Sequence, residues 1–145
     1  MFKHILLPTD GSALSQATID KGIHFAKDIH ARITGLCVVP RDYSSIFEAE
    51  IPGAFREQAL TELTAKAKLY LAALEKAAKD AGVVCNVVLK IEEAPYEAII
   101  DVAGKNGCDL IMMASHGRSG MGALLLGSVT QKVLTHSKIP VLVYR

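Results

Sequence analysis

The chain has 145 residues, half of them hydrophobic, and its 16 Lys and Arg against 15 Asp and Glu leave a formal charge of +1. With no basic run, it offers nucleic acid no electrostatic footprint, and none of its apolar runs nears the roughly 18 residues of a membrane helix. A single domain of this length buries roughly 70% of its unfolded surface, so the core needs no metal or disulfide staple.

The opening MFKHILLPTDGS holds a short apolar segment, residues 2–9, that reads as a strand stopped near Pro8. It is too short for a leader's apolar core and is followed by no small-residue cleavage site, so a soluble, cytoplasmic protein is expected. A helix is expected after Ser12, with Asp10 and Ser12 both eligible as N-caps and Ile19, Gly22, Ile23, Ala26 and Ile29 on one face. Residues 32–39 (RITGLCVV) read as the second strand. Residues 40–56 lack periodicity and hold Pro52-Gly53, which predicts a long loop or flap.

The clearest helical pattern runs from about 57 to 81, where Leu60, Leu63, Ala67, Tyr70, Leu74, Ala77 and Ala81 recur at steps of three and four before Gly82. Residues 83–91 (VVCNVVLKI) read as the third strand. A third helix starts near Pro95, buries Ile99, Ile100 and Ala103, and stops at Asn106-Gly107. The fourth strand is 109–114 (DLIMMA). A fourth helix begins near Gly127-Ser128 and carries Val129, Val133 and Leu134 to His136, and residues 139–144 (IPVLVY) close the pattern as a fifth strand.

The order βαβαβαβαβ, with strands apolar on both faces, predicts an α/β fold built on a doubly wound, five-stranded parallel sheet. In such sheets ligands lie beyond the strand carboxyl ends where strand order reverses. A reversal between the first and fourth strands would bring residues 8–12 (PTDGS) against the bend that follows Ala114. Cys37, Cys85 and Cys108 are odd in number and widely spaced, which suits buried thiols and neither a disulfide framework nor a CxxC metal site. His4, His24, His30 and His136 show no ligand spacing and read as surface or partly buried residues.

Residues 112–134 contain Gly117, Gly120, Gly122 and Gly127, four of the chain's 11 glycines. Gly117 and Gly122 have P-loop spacing, but Ala123 and Leu124 stand where Lys and a hydroxyl residue are needed. Gly120 and Gly122 open a dinucleotide fingerprint that meets Leu125 in place of its third glycine. A nucleophile elbow started by Gly117 and Ser119 ends on Met121. What remains is a glycine bend running into a helix N-terminus, whose backbone N–H groups and dipole suit an anion; Ser128 and Thr130 add hydroxyls, and Arg118 and Lys132 add charge. A structural turn is the alternative. Leu124, Leu125 and Leu126 read as core or helix-packing residues.

ILLPTDGS near the start, the long second helix, DLIMMASHGRSG, LLLGSVTQKVL and the closing IPVLVYR together resemble a single universal stress protein domain over residues 1–145. The nucleotide-binding branch of that family carries G-x2-G-x9-G-[ST]. Gly117, Gly127 and Ser128 match it, while Ala114 replaces the leading glycine. The resemblance implies a Rossmann-like sheet of the adenine nucleotide alpha hydrolase type, with strand order 3-2-1-4-5. It also implies an adenine nucleotide, ATP with Mg2+ held through its phosphates. Pro8, Thr9 and Asp10 would then lie beside the adenosine and Val38 near the adenine edge. Met113, Ala114, Ser115, His116, Gly117 and Arg118, with Gly127, Ser128, Val129 and Thr130, would hold ribose and phosphates.

Members generally pair through the last strand, which implies a homodimer with Val141 and Val143 in the contact. The implied role is a stress-response sensor or regulatory module and not a dedicated enzyme, although weak ATPase activity is compatible with it. No catalytic set is assigned: a triad of His116 with Asp10 and Ser12 would have to be shown by geometry. A dimeric interaction protein without nucleotide and a cyclic AMP-binding module are the alternatives. The SGGxDS-like pyrophosphate loop of the wider hydrolase group is replaced here by PTDGS.

Overall fold

A computed structural model describes residues 1–41, 52–117 and 125–145. Strands β1 (His4–Thr9), β2 (Arg32–Pro40), β3 (Cys85–Glu92), β4 (Leu110–Ala114) and β5 (Val141–Tyr144) alternate with helices α1 (Ala13–Asp28), α2 (Gly53–Asp80), α3 (Pro95–Lys105) and α4 (Ser128–His136). All strand pairs are parallel, in the order β3-β2-β1-β4-β5. The fold expected from the sequence is therefore observed, including its strand order.

The two-residue period of the strands divides the core between two faces. Ile5, Leu7, Ile33, Leu110 and Met112 pack with Ile19, Ile23 and Ala26 of α1 and with Leu74 and Ala78 of α2. Leu6, Leu36, Ile111 and Met113 turn the other way, against Ile99, Val102 and Ala103 of α3 and Val133 of α4. A third cluster joins Cys37 and Val39 of β2 to Ala67 and Leu71 of α2. Both faces of β1 are buried, which is why ILL reads as an unbroken apolar run.

Several boundaries and faces differ from the sequence expectation. α2 starts at Gly53, because Phe55 N and Arg56 N both donate to Pro52 O, so residues 53–56 are helical and not loop. Of the expected 40–56 segment, residues 42–51 lie outside the described residues. On α2 the buried stripe is Ala67, Leu71, Leu74 and Ala78, with Leu60, Leu63 and Tyr70 partly buried beside it. α3 buries Ala98 and Val102 with Ile99 and Ala103, leaving Ile100 half-buried. On α4, Thr130 and Val133 are buried and Leu134 is exposed. Leu125 is 61% exposed and is not a core residue, while Leu124 lies outside the described residues. His4 is buried, contrary to expectation.

Three helices end on the same closing device. In α2, Gly82 N donates to Lys79 O and Val83 N to Ala78 O with Gly82 at φ +77°, and β3 starts at Cys85 because Val83 belongs to this cap. α3 repeats it with Gly107 (φ +69°) and Cys108. α1 repeats it with a non-glycine: His30 sits at φ 57° while its N–H donates to Lys27 O and Ala31 N to Ala26 O. A side chain with Cβ is strained in that region. Replacing His30 with Gly is therefore expected to stabilise the protein by about 0.5–1 kcal/mol, the left-handed penalty less glycine's larger unfolded-state entropy, as read from urea denaturation.

Candidate functional site

β1 and β4 are neighbours, yet they pair only at Ile5–Leu110 and Leu6–Ile111. Beyond that point β1 stays with β2 as far as Thr9–Cys37, and β4 stays with β5 as far as Ala114–Tyr144. The two strands part toward their carboxyl ends, at the point where strand order reverses. A crevice opens there, and two loops line it.

The first loop, residues 9–12, is held by its own side chains. Thr9 Oγ1 accepts from Gly11 N at 3.2 Å and from Ser15 Oγ at 2.9 Å. Asp10 Oδ1 accepts from Ser12 N at 2.9 Å, and Ser12 Oγ caps α1 by accepting from Ser15 N at 3.2 Å. The helix cap is thus Ser12 and not Asp10. Gly11, at φ +78°, lies under the ring of Tyr70, which a Cβ at this position would overlap. Tyr70 thereby anchors the loop to α2, a link that helical periodicity alone does not show.

The second loop leaves β4 through Ser115, His116 and Gly117 and returns at residues 125–127. Its ends are tied together: Ser115 N donates to Tyr144 O at 2.8 Å, and Gly127 N donates to Ser115 O at 2.7 Å. A Cβ on Gly127 would lie 3.1 Å from His116 Cα and 3.3 Å from Ser115 O, so a side chain there would push against backbone. Gly127 is the N-cap of α4 without a side-chain cap, and the first intrahelical bond is Gln131 N to Gly127 O at 3.0 Å. Helix geometry leaves the N–H groups of Ser128, Val129 and Thr130 without intrahelical acceptors.

The loops meet. A Cβ on Gly117 would overlap Asp10 Oδ2, so the glycine lets the Asp10 carboxylate approach the bend after β4. Pro8, Thr9, Asp10, Ala114, Ser115, His116, Gly117, Gly127 and Ser128 therefore stand around one crevice. Val38 lies one residue past the last β1–β2 pair, beside the same end of the sheet. Other side chains are committed elsewhere. Met113 is buried among the α3 and α4 residues, Val129 packs against the same cluster, and the Thr130 hydroxyl donates to Ala114 O at 2.9 Å. Thr130 positions the bend and is buried. Arg118, Gly120 and Gly122 lie outside the described residues.

Ala114 has ordinary strand geometry: among the described residues His30 is the non-glycine residue with positive φ. Alanine therefore stands at this position without backbone strain. His116 Nδ1 lies 3.2 Å from Ser115 Oγ, while Ser12 Oγ is occupied as a helix cap, so the hydrogen bonds seen do not link His116 to Ser12. Among the described residues no three His, Cys, Asp or Glu side chains converge on a metal position. A shallow depression of ≈ 640 Å³ lies at the opposite pole, lined by Lys27, His30, Arg32, Gly82 and Val84. It is remote from the strand carboxyl ends and from their convergent backbone donors, so the crevice is the stronger candidate.

The profile of the universal stress protein family matches residues 1–145. The universal stress protein MJ0531 of Methanocaldococcus jannaschii is 31% identical over 146 residues, covering 100% of this chain and 83% of its own. YxiE of Bacillus subtilis is 30% identical over 149 residues and is covered completely, as is this chain. The solved structure of M. jannaschii MJ0577 superposes with a TM-score of 0.85 at 30% identity, over 99% of this chain and 95% of that one. More distant structures with the same fold include a universal stress protein in complex with cAMP, at 23% identity, and one from Archaeoglobus fulgidus in complex with dAMP, at 15%.

Gly11 and Gly117 make opposite demands on a side chain. Gly11→Ala is expected to cost about 2 kcal/mol or more, since it combines a left-handed φ with overlap of a packed ring. Gly117→Ala meets only the end of the Asp10 side chain and should stay within about 1 kcal/mol. Urea denaturation of the two variants tests the difference.

Proposed function

The chain belongs to the universal stress protein family, and from that premise we propose that it binds an adenine nucleotide, ATP with Mg2+, in the crevice between β1 and β4. The observation that carries this reading is the approach of the 9–12 loop to Gly117 beside an α4 N-terminus whose cap is a glycine. Three helical N–H groups without intrahelical acceptors and the positive end of the helix dipole favour phosphate. Two distant fold relatives hold cAMP and dAMP, which agrees with an adenine site.

In this reading Pro8, Thr9 and Asp10 lie beside the adenosine and the Val38 backbone meets the adenine edge. Ala114 to Arg118 with Gly127, Ser128 and the Val129 and Thr130 N–H groups hold ribose and phosphates, and Met113 supports them from the core. Mg2+ supplies neutralisation of phosphate charge when bound, and its ligands come from the phosphates and water. Asp10 faces the bend as a carboxylate and so orients toward ribose hydroxyls or the magnesium hydration shell, not toward bare phosphate. The outcome is a held nucleotide, and the role is that of a cytoplasmic sensor or regulator.

The partner in this reading is a second copy, joined through β5. Among the described residues that strand ends one edge of the sheet, with its outer backbone groups outside any ladder. Val141 packs inward against the α3 and α4 core while Leu142 is 38% exposed, so an edge contact by Val141 and Val143 would also cover Leu142.

Calorimetric titration with ATP, ADP and cAMP, with and without Mg2+, tests the reading. Wild-type protein should bind ATP with Mg2+ with a Kd below about 1 mM, the equivalent of roughly −4 kcal/mol. Gly127→Leu should lose binding while keeping a cooperative unfolding transition, and Ala114→Gly should bind several-fold more tightly. Preference for cAMP would reassign the ligand, and no binding by the Ala114→Gly protein would overturn the nucleotide reading. A charge at Val143 (Val143→Asp) should give monomers in sedimentation; a dimer that persists moves the interface elsewhere.

A further inference from the structure

At the pole opposite the crevice, the imidazole of His4 lies inside the protein. The residue is 4% exposed. Its Nε2 is 2.7 Å from Thr34 Oγ1, and the Thr34 hydroxyl donates to Asn86 Oδ1 at 2.9 Å, so one hydrogen-bonded chain crosses β1, β2 and β3. With its proton directed to Asn86, the hydroxyl accepts from the ring. The neutral imidazole is therefore the Nε2–H tautomer, and Nδ1 keeps a bare lone pair. Nδ1 is buried and makes no hydrogen bond of good geometry, although the backbone of Asn106 and Gly107 lies near the ring.

Every charged or titratable neighbour bears on that ring. Burial, and then the Arg32 guanidinium from β2, oppose a positive charge; Asp109 and the backbone of Asn106 and Gly107 after α3 favour it. The opposing pair prevails and holds the imidazole below its ordinary 6.5. Cys108 neighbours the same Thr34 hydroxyl, but burial pushes its thiol up to about 11, so it stays neutral where His4 titrates. The Asp109 carboxylate accepts from Lys3 N at 3.1 and 2.8 Å and from His4 N at 2.9 Å. Against the upward pull of desolvation, the His4 and Lys3 N–H groups hold it below its usual 3.8.

We propose that His4 is a proton-responsive switch in the sheet: neutral in the folded protein, and on protonation a buried cation that loosens the amino-terminal ends of β1, β2 and β4. A group that binds its proton less readily when folded contributes stability above its unfolded pKa of 6.5. That contribution is lost as pH falls below that value toward the folded pKa, because the unfolded chain takes up the proton first. The Asp109 contribution has the depressed-carboxylate sign and is lost only below 3.8, so it does not enter where the loss begins, just below 6.5. The switch stands apart from the nucleotide crevice and does not depend on its occupancy.

Urea denaturation between about pH 7.5 and pH 5, on wild type and His4→Gln, tests this. Within the window the wild-type unfolding constant should rise by up to tenfold per pH unit lowered relative to the variant, the limit for one linked proton. Parallel pH profiles would overturn the proposal. If His4→Gln does not fold, nitrogen-15 NMR of the intact wild-type ring decides. An Nε2–H tautomer at pH 7.5 that titrates with a midpoint below 6.5 supports the switch, and an Nδ1–H tautomer or a midpoint at or above that value overturns it.

Discussion

The site rests on the parting of two parallel strands. β1 and β4 share two paired positions, and each then follows its other neighbour, because the sheet winds outward in both directions from this seam. Crossovers of one hand place α1 and α2 on one face and α3 and α4 on the other, so among the described residues no helix covers the seam at the carboxyl end. The loops that fill it inherit a rigid base from three buried strands, and their geometry is set by short hydrogen bonds and, at Gly11, by the packed ring of Tyr70.

Glycine acts within that seam in two physically different ways. Gly11 is needed because its backbone is left-handed and a tyrosine ring lies on it; Gly127 is needed because backbone atoms stand where a Cβ would be, whereas at Gly117 a Cβ would meet the end of the Asp10 side chain, which can shift. Ala114 falls in neither class. It sits on regular strand backbone, so an alanine is accommodated there without strain. The described ends of that bend are joined by Gly127 N on Ser115 O and by the Thr130 hydroxyl on Ala114 O.

The two ends of the sheet divide the work. At the carboxyl end, the buried hydroxyls of Thr9, Ser115 and Thr130 brace the two loops. At the amino end, His4, Thr34 and Asp109 are drawn inward to fasten the strand starts, and α1, α2 and α3 close there on left-handed caps. Burying a ring nitrogen without a partner is costly, and more so when the ring is charged, so this end is where proton uptake would be felt first.

Much of this was legible in the residues. Alternating short apolar runs and amphipathic helices determine the parallel α/β sheet, since both faces of a central strand must be apolar. TDGS, Gly117 and Gly127-Ser128 marked the loops because glycine and capping residues at strand ends have local causes. Periodicity could not say where Tyr70 would land, that Asp10 would reach Gly117, that Leu125 would face solvent or that His4 would be buried. Those depend on contacts between residues far apart in the chain, whose distances are set only when the helices pack on the sheet. Sequence by itself determined the elements, their order and the candidate loops; only the tertiary structure decided which polar atoms were satisfied and which were left buried without a partner, because hydrogen bonding across strands is a property of register and not of composition.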